Sequence, residues 1–332
     1  MGSVSREILH DVPPYIRVYK DGTIDRLVGT ELIPPTTDPE TGVISKDIII
    51  SPETGISARI FRPPLTTTQK LPLIIYFHGG AFVIASPAEP KYHTSVAKLV
   101  SESRAIGVSV DYRLAPEHPL PTAFDDSYGA LKWVSSHAPG GSGPGSESGS
   151  GSGLEEWIKN DVDFDRIFLA GDSAGATIAH HLAIRVGLNP DPDVRFKIQG
   201  MILINPYFWG KDPIGSEKTD PIRKAMVDKW WEFVCPSDSE HGLDDPLINP
   251  FVNGALDLAG LGCGRVIVTV SEKDILRDRG WAYYEALVKS KWNGSVEMFE
   301  VEGEDHVFHI FDPNGDKAVN MIKKLASFVS QE

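Results

Sequence analysis

The chain has 332 residues, 41% of them hydrophobic and 23% charged, enough apolar side chain to bury a sizeable core beneath a polar surface. With 32 Lys and Arg against 46 Asp and Glu, the formal net charge is −14, and no basic patch offsets it, which argues against a nucleic-acid partner. Cys235 and Cys263 are the only cysteines and form no CxxC pair, so a zinc or redox site is not expected.

No stretch approaches the roughly eighteen apolar residues of a membrane span. The opening MGSVSREILHDVPPYIRVYKDG has no apolar leader core, and Glu7 and Asp11 argue against a transit peptide, so a reducing, cytoplasmic setting is the expectation. Residues 1–40 read as an arm laid over a larger body: an alternating run over 15–19, a turn at Asp21-Gly22, then the Pro-rich segment Pro34-Pro35 to Pro39. Strands are expected over 43–50, 56–61 and 73–77, the last almost wholly apolar and therefore central.

Beyond this point the pattern alternates. Helix is expected over 92–103, strand over 105–110, helix over 125–137, strand over 166–170 and helix over 174–186. Strands over 198–204, 266–270 and 295–301 follow, with helices over 281–288 and 316–329. Such alternation gives one α/β domain spanning 1–332, with a mostly parallel sheet and helices on both faces. Two stretches interrupt it. Residues 139–153, PGGSGPGSESGSGSG, have almost no apolar side chain and read as a flexible insertion. Residues 207–258 are rich in Trp and Phe and read as a cap segment over a cleft.

The chemistry is carried by three places in this pattern. Gly171-Asp172-Ser173-Ala174-Gly175 lies between an apolar strand and a helix, where the glycines permit a sharp turn that projects the Ser173 hydroxyl. His78-Gly79-Gly80-Ala81-Phe82 follows the strand over 73–77. The amides of Gly79 and Gly80, with that of Ala174, are candidate donors to the oxyanion of a tetrahedral intermediate. His78 reads as a loop-orienting residue. A serine hydroxyl needs a base, and the base an acid, in the chain order Ser, Asp, His. Asp274 follows the strand over 266–270, with Glu272 as a solvated or ion-paired neighbour. His306 follows the strand over 295–301, with His309 further on and packed against the sheet.

Other motifs read as structure. Residues 111–119 mix charges with prolines and fix a long loop, although Tyr112 is placed to touch substrate. Gly260-Leu261-Gly262-Cys263-Gly264 precedes a strand instead of joining a strand to a helix, which argues against a dinucleotide cofactor. No His-Glu-x-x-His spacing supports a catalytic metal.

In this order, HGGAF, DYRLAPEHPLP, GDSAG, Asp274 and His306 closely resemble the plant carboxylesterases of the hormone-sensitive-lipase-like branch of α/β-hydrolases. The resemblance runs from about Pro14 to the C-terminus and is near to the 2-hydroxyisoflavanone dehydratases in the arm and in PYFWGKDPIGSE. It implies a cytosolic serine esterase without cofactor or metal, capped by the arm and by the segment after Ile204. Ser173 would be the nucleophile, His306 the base and Asp274 the orienting acid. The branch also holds gibberellin receptors, which lack the histidine, dehydratases, whose leguminous forms place Thr at the nucleophile position, and alkaloid cyclases, so a dehydratase or cyclase acting on a flavonoid or alkaloid skeleton is the alternative. His306 and Ser173 therefore favour hydrolysis of short or medium acyl esters of small plant metabolites. The pocket wall is expected to draw on Phe82, Tyr112, Trp209, Trp230 and Phe233. The expected partner is a small-molecule ester, and the expected assembly a monomer or weak homodimer.

Overall fold

A computed structural model describes residues 6–66, 68–141, 155–236 and 239–331. Most of the insertion expected over 139–153 lies outside these described residues. The arm forms its own antiparallel sheet from β1 (Ile8–Val12), β2 (Ile16–Tyr19) and β3 (Ile24–Arg26). The turn expected at Asp21-Gly22 joins β2 to β3, with Asp21 accepting from the Thr23 amide at 2.9 Å.

In chain order there follow β4 (Ile44–Ser51), β5 (Ile56–Arg62), β6 (Leu71–Phe77), α1 (Pro90–Ser103), β7 (Ile106–Asp111), α2 (Thr122–Ser136) and α3 (Glu156–Asp161). Next come β8 (Val162–Asp172), α4 (Ala174–Leu188), β9 (Ile198–Ile204), α5 (Pro221–Val234) and β10 (Cys263–Ser271). The chain closes with α6 (Arg277–Lys289), β11 (Ser295–Val301), the short α7 (Phe308–Phe311) and α8 (Asp316–Ser330). Helix α1 starts two residues before the apolar periodicity because Pro90, lacking an N–H, suits the first turn.

The main sheet has eight strands in the order β11-β10-β9-β8-β6-β7-β5-β4. From β11 to β7 every neighbour is parallel, whereas β5 and β4 close one edge antiparallel. Alternation within β6 feeds both faces: Leu73, Ile75 and Phe77 pack with α2 and α4 residues such as Leu131 and Ile178, while Ile74 and Tyr76 pack with Val96 of α1 and Met321 of α8. Each such buried aliphatic side chain contributes about 1.5–3 kcal/mol. Helices thus cover both faces, and the interior strands carry buried apolar runs such as Ile167 to Ala170 of β8.

Parallel strands all end on one side, and this places the chemistry. The loops after β6, β8, β10 and β11 carry His78, Ser173, Asp274 and His306, so four distant sequence positions share one end of the sheet. The arm is fastened over the same end. Arg26 of β3 donates to the Val83 carbonyl at 2.7 Å and pairs with Glu117 at 2.6 Å.

Candidate active site

Ser173 sits between β8 and α4 with φ 50° and ψ −119°, a backbone conformation that a non-glycine residue adopts only when its surroundings hold it. The Ser173 amide donates to the Ile204 carbonyl at 2.9 Å, and its carbonyl accepts from the Tyr207 amide at 3.1 Å. The turn also needs Gly175, because a Cβ there would lie 1.9 Å from the Phe77 carbonyl oxygen of β6. The sequence spacing Gly-x-Ser-x-Gly is therefore a packing requirement as much as a motif.

Three side chains form a continuous hydrogen-bonded line. His306 Nε2 lies 2.9 Å from Ser173 Oγ, and His306 Nδ1 lies 2.7 Å from Asp274 Oδ2. Asp274 is buried and held from two further sides: its Oδ2 accepts from Asn205 Nδ2 at 2.9 Å and its Oδ1 from the Leu276 amide at 2.9 Å. Burial works against a charged His306, but the Asp274 charge and hydrogen bond outweigh it, and the imidazole pKa is raised. Such a line can move the serine proton to Nε2 while the carboxylate stabilises the imidazolium that forms.

The loop after β6 supplies amides beside Ser173. Gly80, Ala81 and Phe82 adopt φ values of 93°, 51° and 65°, which turns this stretch sharply. The Gly80 and Ala81 amides have no acceptor among the described residues, and both residues line the cavity at Ser173. Ala174 opens α4, where first-turn amides have no intrahelical acceptor. Gly79 differs from the expectation. Its amide donates to Asp172 Oδ1 and to the Tyr92 hydroxyl, each at 3.0 Å, so it is consumed beneath the loop. A Cβ at Gly79 would come within 2.4 Å of Asp172 Oδ2, so the residue is a glycine for packing.

Asp172 is the centre of that buried layer. It also accepts from the Tyr76 hydroxyl at 2.8 Å and the Tyr92 hydroxyl at 2.9 Å. Burial pushes its carboxyl up to about 6, against the pull of those donors. His78 lies fully buried, with Nδ1 2.8 Å from the Gly79 carbonyl and its ring stacked on Tyr112 at 4.3 Å. Burial lowers its pKa to about 4, so it stays neutral near pH 7 and orients the loop.

A cavity of about 730 Å³ opens over Ser173 and His306. One flank comes from the arm and α5, where Tyr15 meets Trp230 edge-on at 4.5 Å and Phe233 faces His10 at 5.7 Å. Arg223 of α5 reaches back to the loops: it pairs with Asp305 at 2.8 Å and donates to the Lys273 carbonyl at 2.8 Å. Helix α5 is thereby tied to the neighbours of both His306 and Asp274.

A family described as having the α/β-hydrolase fold matches residues 74–310. The chain belongs to this α/β-hydrolase family. It is 53% identical to the protein named "Probable carboxylesterase 2" of Arabidopsis thaliana over 100% of this chain and 99% of that one. It is 43% identical to the 2-hydroxyisoflavanone dehydratase of Glycyrrhiza echinata, with 98% of each chain covered. Among solved structures, the esterase of Pyrobaculum calidifontis superposes with a TM-score of 0.68 at 28% identity, covering 86% of this chain and 84% of that one.

Within this α/β-hydrolase the pocket expectations divide. Trp230 and Phe233 line the cavity, whereas Phe82, Tyr112 and Trp209 do not. Phe82 is fully buried against Phe124 and Tyr207, because the turn at Gly80 points it into the core. The Tyr112 hydroxyl donates to the His78 carbonyl at 2.6 Å, so the tyrosine supports the loop from below. Trp209 is buried with its indole N–H on Asp228 at 2.7 Å. The stretch 111–119 is structural as read: Arg113 grips buried Asp126 at 2.7 Å, and Glu117 holds Arg26. Glu272 is exposed and accepts from the Gly303 amide at 2.6 Å, and His309 is buried in α7, which packs on α1 and α8.

Sequence reading missed Ala81, Asp172, Asn205, Arg223 and Tyr15. Ala81 and Asp172 stood inside quoted motifs, but which amide turns inward is a backbone property. Asn205 has a positive φ of 44° at the end of β9, a faint signal for a special turn. Among the described residues no group of three or more His, Cys, Asp or Glu side chains could hold a metal, and no helix is long and apolar enough to cross a membrane.

Proposed function

We propose that this α/β-hydrolase is a serine carboxylesterase acting on short or medium acyl esters of small plant metabolites. The observation that carries the reading is the line Ser173 Oγ, His306 Nε2 and Nδ1, Asp274 Oδ2, with every link within 2.9 Å. Ser173 attacks the ester carbonyl as His306 takes its proton, and the Gly80, Ala81 and Ala174 amides receive the oxyanion. His306 then protonates the leaving alcohol. Water activated by His306 hydrolyses the acyl-enzyme and restores the serine. No cofactor or metal enters these steps.

The arm and the segment 207–258 form the cap, a role supported by Tyr15, Arg223, Trp230 and Phe233 on the cavity wall. A cytoplasmic location and a monomeric or weakly dimeric state belong to the same reading, and fractionation and light scattering test them. For the chemistry, purified protein hydrolyses p-nitrophenyl acetate with a chelator present, and an organophosphate labels Ser173. Metal-dependent turnover, or label on another residue alone, overturns it.

The likeness to a 2-hydroxyisoflavanone dehydratase favours a second reading, elimination of water from a flavonoid skeleton in the same cavity. Incubation with a 2-hydroxyisoflavanone discriminates: formation of an isoflavone at rates matching ester hydrolysis would move this reading forward.

A further inference from the structure

The cavity has two unlike flanks, and the second flank contains charges that the proposed chemistry does not use. It is built from the start of α1 and the segment that follows His306. Glu89, Lys91, Phe311 and Asp312 line it. Glu89 precedes α1 but does not cap it, since its side chain accepts no amide of the helix. Its carboxylate is partly buried and makes no hydrogen bond or ion pair with any described residue. Lys91 has no carboxylate partner among the described residues, and its ammonium lies 4.7 Å over the Phe311 ring.

A half-buried carboxylate without a donor is costly, because the water it lost has not been replaced. Burial accordingly raises the Glu89 pKa, opposed by Lys91 and assisted by Asp172 and Glu31. A ligand that restores the missing hydrogen bonds recovers that cost. Its chemistry is constrained by the wall. An anion meets Glu89 and Asp312, and a simple cation meets Lys91. A neutral hydroxyl does both jobs: it donates to the carboxylate and accepts from the ammonium.

Position decides which part of the ester reaches this wall. His306 must pass its proton to the departing alcohol oxygen, so the alcohol portion lies on the His306 side. The chain running on from His306 through α7 to Asp312 forms that side of the cavity. We propose that Glu89 and Lys91 form a subsite for an alcohol portion carrying free hydroxyls, making the preferred substrates esters of polyhydroxylated alcohols. This inference rests on the ester-hydrolysis reading above and deepens it.

The test compares 2,3-dihydroxypropyl butyrate with propyl butyrate, which share an acyl group and differ in two hydroxyls. The readout is the ratio of their kcat/KM values, followed by acid release. The intact protein favours the dihydroxy ester. Glu89→Ala lowers the ratio tenfold or more, as expected for loss of a hydrogen bond to a charged group. Glu89→Gln, which keeps the shape and one acceptor, lowers it less. A purely structural role for Glu89 would slow both esters alike and leave the ratio fixed. A starting ratio at or below one, or a ratio within twofold of the starting value in both variants, overturns the subsite while p-nitrophenyl acetate is still hydrolysed. Absence of p-nitrophenyl acetate turnover instead overturns the esterase chemistry beneath it.

Discussion

Replacing Asp172 with asparagine separates the electrostatic cost of the buried layer from its geometry. Asp172 has no solvent exposure, and its carboxyl is pushed from the ordinary 3.8 up to about 6 by burial. A rise of about two pH units at 1.36 kcal/mol per unit amounts to ~3 kcal/mol. The native state holds the proton more tightly than the unfolded chain does. This stabilising contribution is therefore complete below the unfolded value and lost as pH rises through about 6. A side-chain amide does not titrate, so the variant lacks this slope; groups that do not interact with Asp172 cancel in the difference between the two proteins, and the weaker coupling to His306 remains. The stability of Asp172→Asn relative to the original protein should rise by up to ~3 kcal/mol between about pH 4 and pH 7.5, several degrees in melting temperature. Thermal unfolding of both proteins across that range at fixed ionic strength measures it. A gap that stays constant, or narrows as pH rises, refutes the reasoning. Turnover moves the other way: the amide cannot accept from Tyr76, Tyr92 and Gly79 together, and kcat should fall about tenfold as the oxyanion loop loses a tether.

Ser173→Ala and His306→Ala should each lower kcat by about three or more powers of ten while equilibrium binding of a non-hydrolysable ester analogue changes far less; stopped assays and calorimetry on the same samples check this. Because His306 must be neutral to accept the serine proton and its pKa is raised by Asp274, activity should fall with acidity around a midpoint above the ordinary imidazole value of 6.5. Asp274→Asn should cut turnover strongly and move that midpoint down, as kcat/KM against pH would show. Arg223→Ala should cost under about 1 kcal/mol of stability, since the Asp305 pair is partly exposed, yet reduce kcat/KM severalfold by freeing α5 from the loops; equal turnover would remove Arg223 from the positioning of the site.

Much of the fold was legible in the chain because burial on both faces leaves a simple mark. The apolar runs of β6, β8, β9 and β10 and the helical spacing after them fix an alternating order, and right-handed crossovers leave few ways to arrange it. The core of the site was legible for a related reason. Ser173, Asp274 and His306 each follow a recognisable strand, and parallel strands deliver their C-terminal loops to one end. Boundaries were less sharp: the periodicity over 92–103 begins after Pro90, since the first turn of α1 is set by proline and not by burial.

What the chain alone could not decide is where aromatic rings and amides point. Trp209 and Trp230 belong to one aromatic segment, yet one is locked in the core by Asp228 and the other meets Tyr15 of the arm on the cavity wall. Tyr15 and Trp230 stand far apart in the chain, and they meet because the arm is fastened near the site by Arg26 and by Ile16 buried in the core. Gly79 and Gly80 are identical in composition, but the Asp172 carboxylate takes the first amide and the turn leaves the second free. Sequence thus determined the chain order of strands and helices and the three groups that lie in one hydrogen-bonded line, because hydrophobic pattern and loop position are one-dimensional. Tertiary structure decided which loop amides are left without an acceptor and which rings wall the cavity, because a hydrogen bond or ring contact depends on direction, which the order of residues does not carry.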